Sequence, residues 1–105
     1  MSEVVDVEIT APDADWLAEF TRRLVEDRLV ASGNISAVRS IYRWNDAIED
    51  RPEARVVLHT HRSRVPEIMD RTLAEHPYAV PGLRVIEVNT HPAYAAWLID
   101  STGGT

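Results

Sequence analysis

The first patterned stretch of the chain alternates apolar and acidic residues over positions 4–9. Val5, Val7 and Ile9 fall on one parity, whereas the acidic residues fall on the other. Successive side chains of a β-strand point to opposite faces, so this alternation predicts a strand that buries one face. Threonine, alanine and proline at positions 10–12 end the pattern.

Apolar residues then change to the spacing of a helix. The members of this stripe are Trp16, Leu17, Phe20, Leu24 and Val25. Asp13 precedes the stripe and predicts an N-cap, while Asp15 lies in the first turn, where the positive end of the helix dipole favours a carboxylate. We expect this helix to end near positions 28–30 and Gly33 to help the chain turn away.

Two strands joined by a turn follow, at positions 35–44 and 53–61. The first mixes polar, β-branched and aromatic residues as a pleated surface does, and the second surrounds the apolar run VVL. Asn45 and Asp46 predict the turn, so the two strands form a long hairpin. A fourth strand is predicted at positions 83–88.

Two further helices are predicted from proline positions and apolar spacing. Ser63 is expected to cap the second helix, with Pro66 in its first turn, where a missing N–H costs little. The expected buried stripe of this helix is Val65, Ile68, Met69 and Leu73. Pro92 opens a last short helix, whose large residues are Tyr94, Trp97, Leu98 and Ile99.

The predicted order is β-α-β-β-α-β plus a terminal helix, in a single domain over positions 1–105. This is the ferredoxin-like, split-βαβ plan of the α+β class, with the first two helices on one face of a four-stranded antiparallel sheet. Apolar residues of the hairpin fall on both parities: Tyr42, Trp44, Val56, Val57 and Leu58. With no second helical layer predicted, such a sheet is expected to be covered by other copies of the chain.

The composition excludes several kinds of chemistry. The 105 residues include no cysteine, which excludes disulfides, cysteine-ligated zinc, iron–sulfur clusters and thiol nucleophiles. All 11 basic residues are arginine, so a lysine Schiff base and a Walker-type lysine are also excluded. No serine lies in a Gly-x-Ser-x-Gly setting, and no nucleophile–base pair is evident along the chain. We therefore expect a protein that is not an enzyme.

The charge balance bears on partners and location. A net charge of −6 repels nucleic acid and anionic membrane, so neither is an expected partner. No apolar run approaches the roughly 20 residues that span a bilayer. The first ten residues lack the basic start and apolar middle of a signal peptide, so a cytoplasmic location is expected.

Three motifs carry a resemblance to a known family: SIYRW at 40–44, HPYAVP at 76–81 and PAYAAW at 92–97. In this order and at these intervals they resemble the CutA family, the divalent-cation tolerance proteins, over essentially the whole chain. The resemblance implies a tight homotrimer with an architecture similar to PII-type signalling proteins. It also implies a link to tolerance of copper and other divalent cations, by binding rather than by catalysis.

Three polar positions depart from the family pattern. Ser32 stands where the family often has a cysteine, and His59 stands where a lysine usually closes the third strand. Ala79 replaces the acidic or amide residue that commonly follows the His-Pro-Tyr motif. These changes leave the apolar framework intact and bear on the binding activity.

The candidate metal ligands are histidines. His76 is the first candidate, because its imidazole lies in the His-Pro-Tyr motif; the alternative is that it ends the second helix and bonds terminal carbonyls. His59 and His61 are two positions apart on a strand, so they share a face and make half of a site. His91 is expected to be a loop residue. No resident cofactor is implied beyond a divalent cation, copper above all.

The remaining candidates are aromatic and charged. We expect Tyr42, Trp44, Tyr78 and Trp97 to pack in the subunit interface. The acidic residues around the hairpin tip are expected to form a solvated turn. The alternative function is a PII-like sensor or adaptor that binds a small anionic ligand or a partner protein at intersubunit clefts, with Arg43 and Arg62 as the contacts.

Overall fold

The computed structural model describes residues 3–103. The elements are β1 (Val4–Ala11), α1 (Ala14–Glu26), β2 (Ser32–Trp44), β3 (Ala47–His61), α2 (Val65–Glu75), β4 (Gly82–Glu87) and α3 (Pro92–Ser101), with one 3-10 turn at Arg62–Arg64 before α2. The strands form one antiparallel sheet in the order β2-β3-β1-β4. The predicted mixed α+β fold with four antiparallel strands and three helices is confirmed. No helix among the described residues is long and apolar enough to cross a membrane.

The core lies between one face of this sheet and the helix α1. The alternation predicted in β1 is confirmed, because Val5, Val7 and Ile9 are fully buried. Their cross-strand partners in β3 are Thr60, Leu58 and Val56. The helix buries Leu17, Phe20 and Leu24 against them. Asp13 caps the helix as predicted, and its carboxylate accepts a hydrogen bond from the backbone N–H of Asp15 at 2.8 Å.

The opposite face of the sheet, called the open face below, is less apolar than the sequence indicated. Of the apolar run VVL, only Val57 lies on this face, with Tyr42 and Trp44 on the same side further along the hairpin. Glu8 forms ion pairs at the centre of the face with Arg55 (3.8 Å) and Arg84 (3.5 Å). The expectation that no second helical layer exists is also wrong. The helix α3 packs against this face, where the hydroxyl of Tyr94 lies 3.0 Å from Nδ1 of His59.

The hairpin is longer than predicted and extends beyond the rest of the sheet. The strand β3 begins at Ala47 rather than near position 53, and its pairing with β2 continues through Pro52. Pro52 is tolerated because β1 pairs only with residues 54–61 of β3, so this part of the strand has a neighbour on one side only. Residues 38–53 form this extension, called the arm below, in a molecule of 44 × 25 × 21 Å.

Of two turns in the chain, one lies where the sequence predicted it and the other does not. The arm closes at Asn45 and Asp46 as predicted, and both residues have positive φ (50° and 62°), as the tight turn of a hairpin requires. Gly33 does not turn the chain; it lies in β2, where an added Cβ would be 2.8 Å from Cγ2 of Thr21. Arg28, with φ of 59°, makes the turn after α1.

The second helix also departs from its predicted details. Ser63 does not cap α2 but lies in the 3-10 turn, where its backbone N–H donates to Nδ1 of His61. Pro66 lies in the first turn as expected. Leu73 is 61% exposed, and Thr72 takes the buried position because its hydroxyl donates to the carbonyl of Ile68 at 2.7 Å.

Candidate functional site

A groove of about 850 Å³ separates the arm from the loop at positions 77–82. Its walls include Tyr42, Trp44, Glu53, Pro77, Tyr78 and Val80. Three of the four predicted interface aromatics therefore line one groove. Trp44 is 48% exposed and Val80 is 68% exposed, so the groove presents apolar surface to its surroundings.

Tyr78 ties the loop to the arm across this groove. Its hydroxyl donates a hydrogen bond to Oε2 of Glu53 at 2.7 Å. Burial, with the Glu53 carboxylate as the next cause, raises the pKa of Tyr78 from 10.0 to about 12. The neutral phenol is thus the form that the folded protein stabilises.

This shift predicts a pH dependence at the alkaline end. Because the pKa of Tyr78 is higher in the folded chain, its contribution to stability is complete below pH 10 and is lost as the pH rises towards about 12. We expect the free energy of unfolding, measured with urea, to fall more steeply over this range in the wild type than in Tyr78→Phe. Equal slopes in the two proteins would contradict the assignment, and ultraviolet titration of tyrosinate gives an independent check.

Two pairs of oppositely charged residues lie within the arm. Nε and Nη2 of Arg39 donate to the two carboxylate oxygens of Asp50 at 2.8 and 2.7 Å, and this fork lowers the pKa of Asp50. Arg51 pairs with Glu49. Glu49 and Asp50 of the acidic cluster that was predicted as a solvated turn are therefore paired with arginine. Since these arginines already hold carboxylates, they are poorly disposed to clamp an anionic ligand.

His76, the first metal candidate, is held on both sides by the backbone. Its side chain lies at the end of α2 in a residue that is 8% exposed. Nε2 donates to the carbonyl of Thr10 at 2.7 Å, because a carbonyl can only accept, and Nδ1 accepts from the backbone N–H of Tyr78 at 2.9 Å. The ring of Trp16 packs edge-on against it at 5.4 Å. In this arrangement the imidazole offers no free lone pair to a metal, so the predicted metal role requires breaking a backbone hydrogen bond.

His59 lies on the open face within a cluster of hydroxyl groups. Its Nδ1 is 2.8 Å from Oγ of Ser32 and 3.0 Å from the hydroxyl of Tyr94, and these two oxygens are 3.3 Å apart. Asp6 is the cross-strand neighbour of His59 on the other side. Burial raises the pKa of Asp6, and the charge of His59 partly offsets that rise.

His61 shares the open face with His59 but has a separate set of partners. Its Nδ1 lies 2.6 Å from Oγ of Ser63, and its cross-strand neighbour is Val4. His91 caps α3, since its Nδ1 accepts from the backbone N–H of Ala93. Within residues 3–103, no group of three or more histidine, aspartate or glutamate side chains is placed to hold a metal ion.

Trp97 lies apart from the groove. It is 46% exposed on α3 and stacks on Tyr94 with ring centroids 5.5 Å apart. Of the arginines predicted to bind an anion, Arg62 pairs with Glu87, and Arg43 is exposed on the arm. The predicted sites are thus distributed over the arm groove, the end of α2 and the open face.

Sequence reasoning missed the contact between Ser32 and His59. The two residues are cross-strand partners in the hairpin, at equal distances from the turn at Asn45 and Asp46. Counting outward from that turn would have paired them, had the start of β2 been predicted at position 32. The structure places Oγ of Ser32 2.8 Å from Nδ1 of His59, a hydrogen bond that the sequence analysis did not predict.

Comparison with known proteins identifies relatives over nearly the whole chain. The family model described as CutA1 divalent ion tolerance protein matches residues 5–101. The divalent-cation tolerance protein CutA of Thermus thermophilus is 33% identical over 105 residues, covering 98% of this chain and 100% of its own. That of Pyrococcus horikoshii is 31% identical over 100 residues, covering 94% and 98%. The solved structure of the periplasmic divalent cation tolerance protein CutA from Archaeoglobus fulgidus has a TM-score of 0.91 at 25% identity, covering 94% and 98% of the two chains.

Proposed function

Since the chain belongs to the CutA1 divalent ion tolerance family, we propose that it acts as a homotrimer in the response to divalent cations, copper among them. It does so by binding rather than by catalysis. The match of the family model over residues 5–101 carries this proposal. A cytoplasmic location stays a prediction from the sequence.

The exposed arm supports self-association. Ile41 is 63% exposed and Ile48 is 61% exposed on the arm, and Trp44 and Val80 are exposed along the groove, which Ile41 also lines. Apolar surface concentrated in one part of a small domain favours burial against another protein. Other copies of the chain are the proposed cover, and the similarity to PII-type trimers remains part of the proposal.

The open face is the better place for a metal. His59 and His61 project from the same face of β3, and their Nδ1 atoms face Ser32 and Ser63. Nε2 of each ring is the atom that would meet a cation, with the remaining ligands coming from water or another subunit. His76 would have to give up its contact with Thr10 or Tyr78 first.

Calorimetric titration with Cu²⁺ and Zn²⁺ tests the metal role. We expect His59→Gln/His61→Gln to remove most of the binding heat of the wild type and His91→Gln, a matched histidine at the start of α3, to retain it. If the wild type binds neither cation, the proposal that the protein contacts metal directly is wrong. Heat that survives in the double variant would place the ligands elsewhere.

A further inference from the structure

The arm joins the rest of the sheet at a narrow base. Ala54 is the first residue of β3 that pairs with β1, so the residues before it form a ribbon of two strands only. Such a ribbon is marginally stable on its own and twists more than a wider sheet. Pro52, close to this point, also supplies no backbone N–H to the ribbon. The base of the arm is therefore a place where the chain can bend.

The groove beside the arm leaves space for such a bend. Its volume of about 850 Å³ lies between the arm and the loop at positions 77–82. Trp44 on the arm and Val80 on the loop both line it, and they remain 48% and 68% exposed. Close packing against the loop therefore does not fix the angle of the arm.

The loop on the far side of the groove is held against β1 at both ends. At its start, Nε2 of His76 donates to the carbonyl of Thr10, and Nδ1 accepts from the backbone N–H of Tyr78. At its end, Gly82 lies so close to Thr10 that an added Cβ would be 2.4 Å from Oγ1. Two prolines between these points restrict φ. Tyr78 is thus fixed to the body of the sheet.

Tyr78 supplies the polar contacts between the body and the arm. Its hydroxyl donates to Oε2 of Glu53 at 2.7 Å, and the same phenol interacts with Tyr42 and Arg51. Glu53 is 9% exposed and directly precedes Ala54 at the base of the arm. Within residues 3–103, no other side chain outside the arm forms a hydrogen bond or an ion pair with it.

We propose that the hydrogen bond between Tyr78 and Glu53, called the latch below, sets the angle of the arm to the body of the sheet. Without the latch, the arm swings about its base and across the groove. Ala47, at the tip, is roughly 20 Å from Glu53 along the strand, so a rotation of about 10° moves the tip by about 3 Å.

The latch has a consequence for assembly that rests on the proposed function. An arm held at one angle is preorganised for contact with another copy, because less conformational freedom is lost on binding. The latch itself is formed within one chain and does not depend on the trimer.

The distance between two spin labels on one chain tests the latch. The chain has no cysteine, so labels attach only at Ala47→Cys on the arm tip and Arg22→Cys on the exposed side of α1. All chains also carry Ile48→Glu, which puts a charge on the exposed arm outside the groove so that another copy does not hold it in place. Dilution into unlabelled chains of the same kind keeps each distance within one chain. Pulsed electron paramagnetic resonance should give one narrow distribution of distances for this parent chain.

Variants of the latch should change this distribution. Tyr78→Phe removes the hydroxyl, keeps the ring and should shift or broaden the distribution by about 3 Å or more. Glu53→Ala removes the acceptor and should act in the same direction, so the test holds even where one of the two variants fails to fold. Glu53→Gln keeps an acceptor oxygen and should resemble the parent. Arg39→Ala is the matched control, because it removes two hydrogen bonds to Asp50 within the arm and none to the loop.

Three results would overturn the proposal. Equal distributions in Tyr78→Phe and the parent would show that the latch does not set the angle. A broad distribution in the parent would show that the arm is not held at all. A change in Arg39→Ala as large as that in Tyr78→Phe would place the control of the angle within the arm. A wild type that sediments as one chain would contradict the proposed trimer alone, because the distances are measured within one chain.

Discussion

Replacing His76 by alanine is expected to lower the free energy of unfolding by about 2–4 kcal/mol, because the substitution removes two hydrogen bonds from a largely buried site. The carbonyl of Thr10 loses the donor Nε2, and the N–H of Tyr78 loses the acceptor Nδ1. The edge of Trp16 also loses its packing partner. Urea unfolding followed by circular dichroism measures the change.

A matched variant separates this structural role from metal binding. His76→Gln can keep the donor to Thr10 and should recover part of the lost stability. The copper-binding heat of His76→Gln should equal that of the wild type. A variant as stable as the wild type that has lost its copper binding would show that His76 is a ligand and that its backbone contacts matter little.

The double variant Ile41→Glu/Ile48→Glu is expected to sediment as a monomer. The two isoleucines lie on the same side of the arm at diagonal positions of the hairpin, and both are more than half exposed in the single chain. Burying two carboxylates in an apolar contact without partners costs several kcal/mol, which exceeds what a small interface retains. Sedimentation velocity measures the result directly.

The control for the arm is another exposed apolar residue. Val25 is 40% exposed on α1, away from the arm, so Val25→Glu should leave the assembly intact. If the isoleucine variant keeps the wild-type sedimentation coefficient, the arm is not the interface. If Val25→Glu dissociates the assembly, the contact lies on the helical side.

Local sequence patterns predicted those parts of the fold that depend on interactions between residues close together in the chain. The alternation in β1, the cap at Asp13 and the turn at Asn45 and Asp46 all follow from short-range geometry. The arm was underestimated because the third strand was predicted to begin near position 53, whereas residues 47–52 also pair with β2. Pro52 is acceptable there because this part of β3 has no second neighbouring strand. The prediction that Leu73 is buried was wrong. Thr72 takes the buried position instead, because its hydroxyl donates a hydrogen bond within its own helix.

The contacts of the candidate site residues depend more on the register between strands than on residue type. His76 was singled out as a candidate metal ligand. Its partner in β1, the carbonyl of Thr10, is 66 positions away and could not be predicted from the local pattern, whereas its other partner is the backbone N–H of Tyr78 in the following loop. Ser32 and His59 were noted separately as departures from the family pattern. Their contact follows from the pairing of β2 with β3, which the sequence shows only when both strand ends are known.

The mass of the assembly in solution tests the central claim most directly. Sedimentation equilibrium of the wild type over a range of protein concentrations should give about three times the chain mass of 11.8 kDa, with no dependence on added copper. A mass equal to that of one chain would leave the arm and its groove uncovered. That result would contradict the proposal that this protein acts as a trimer.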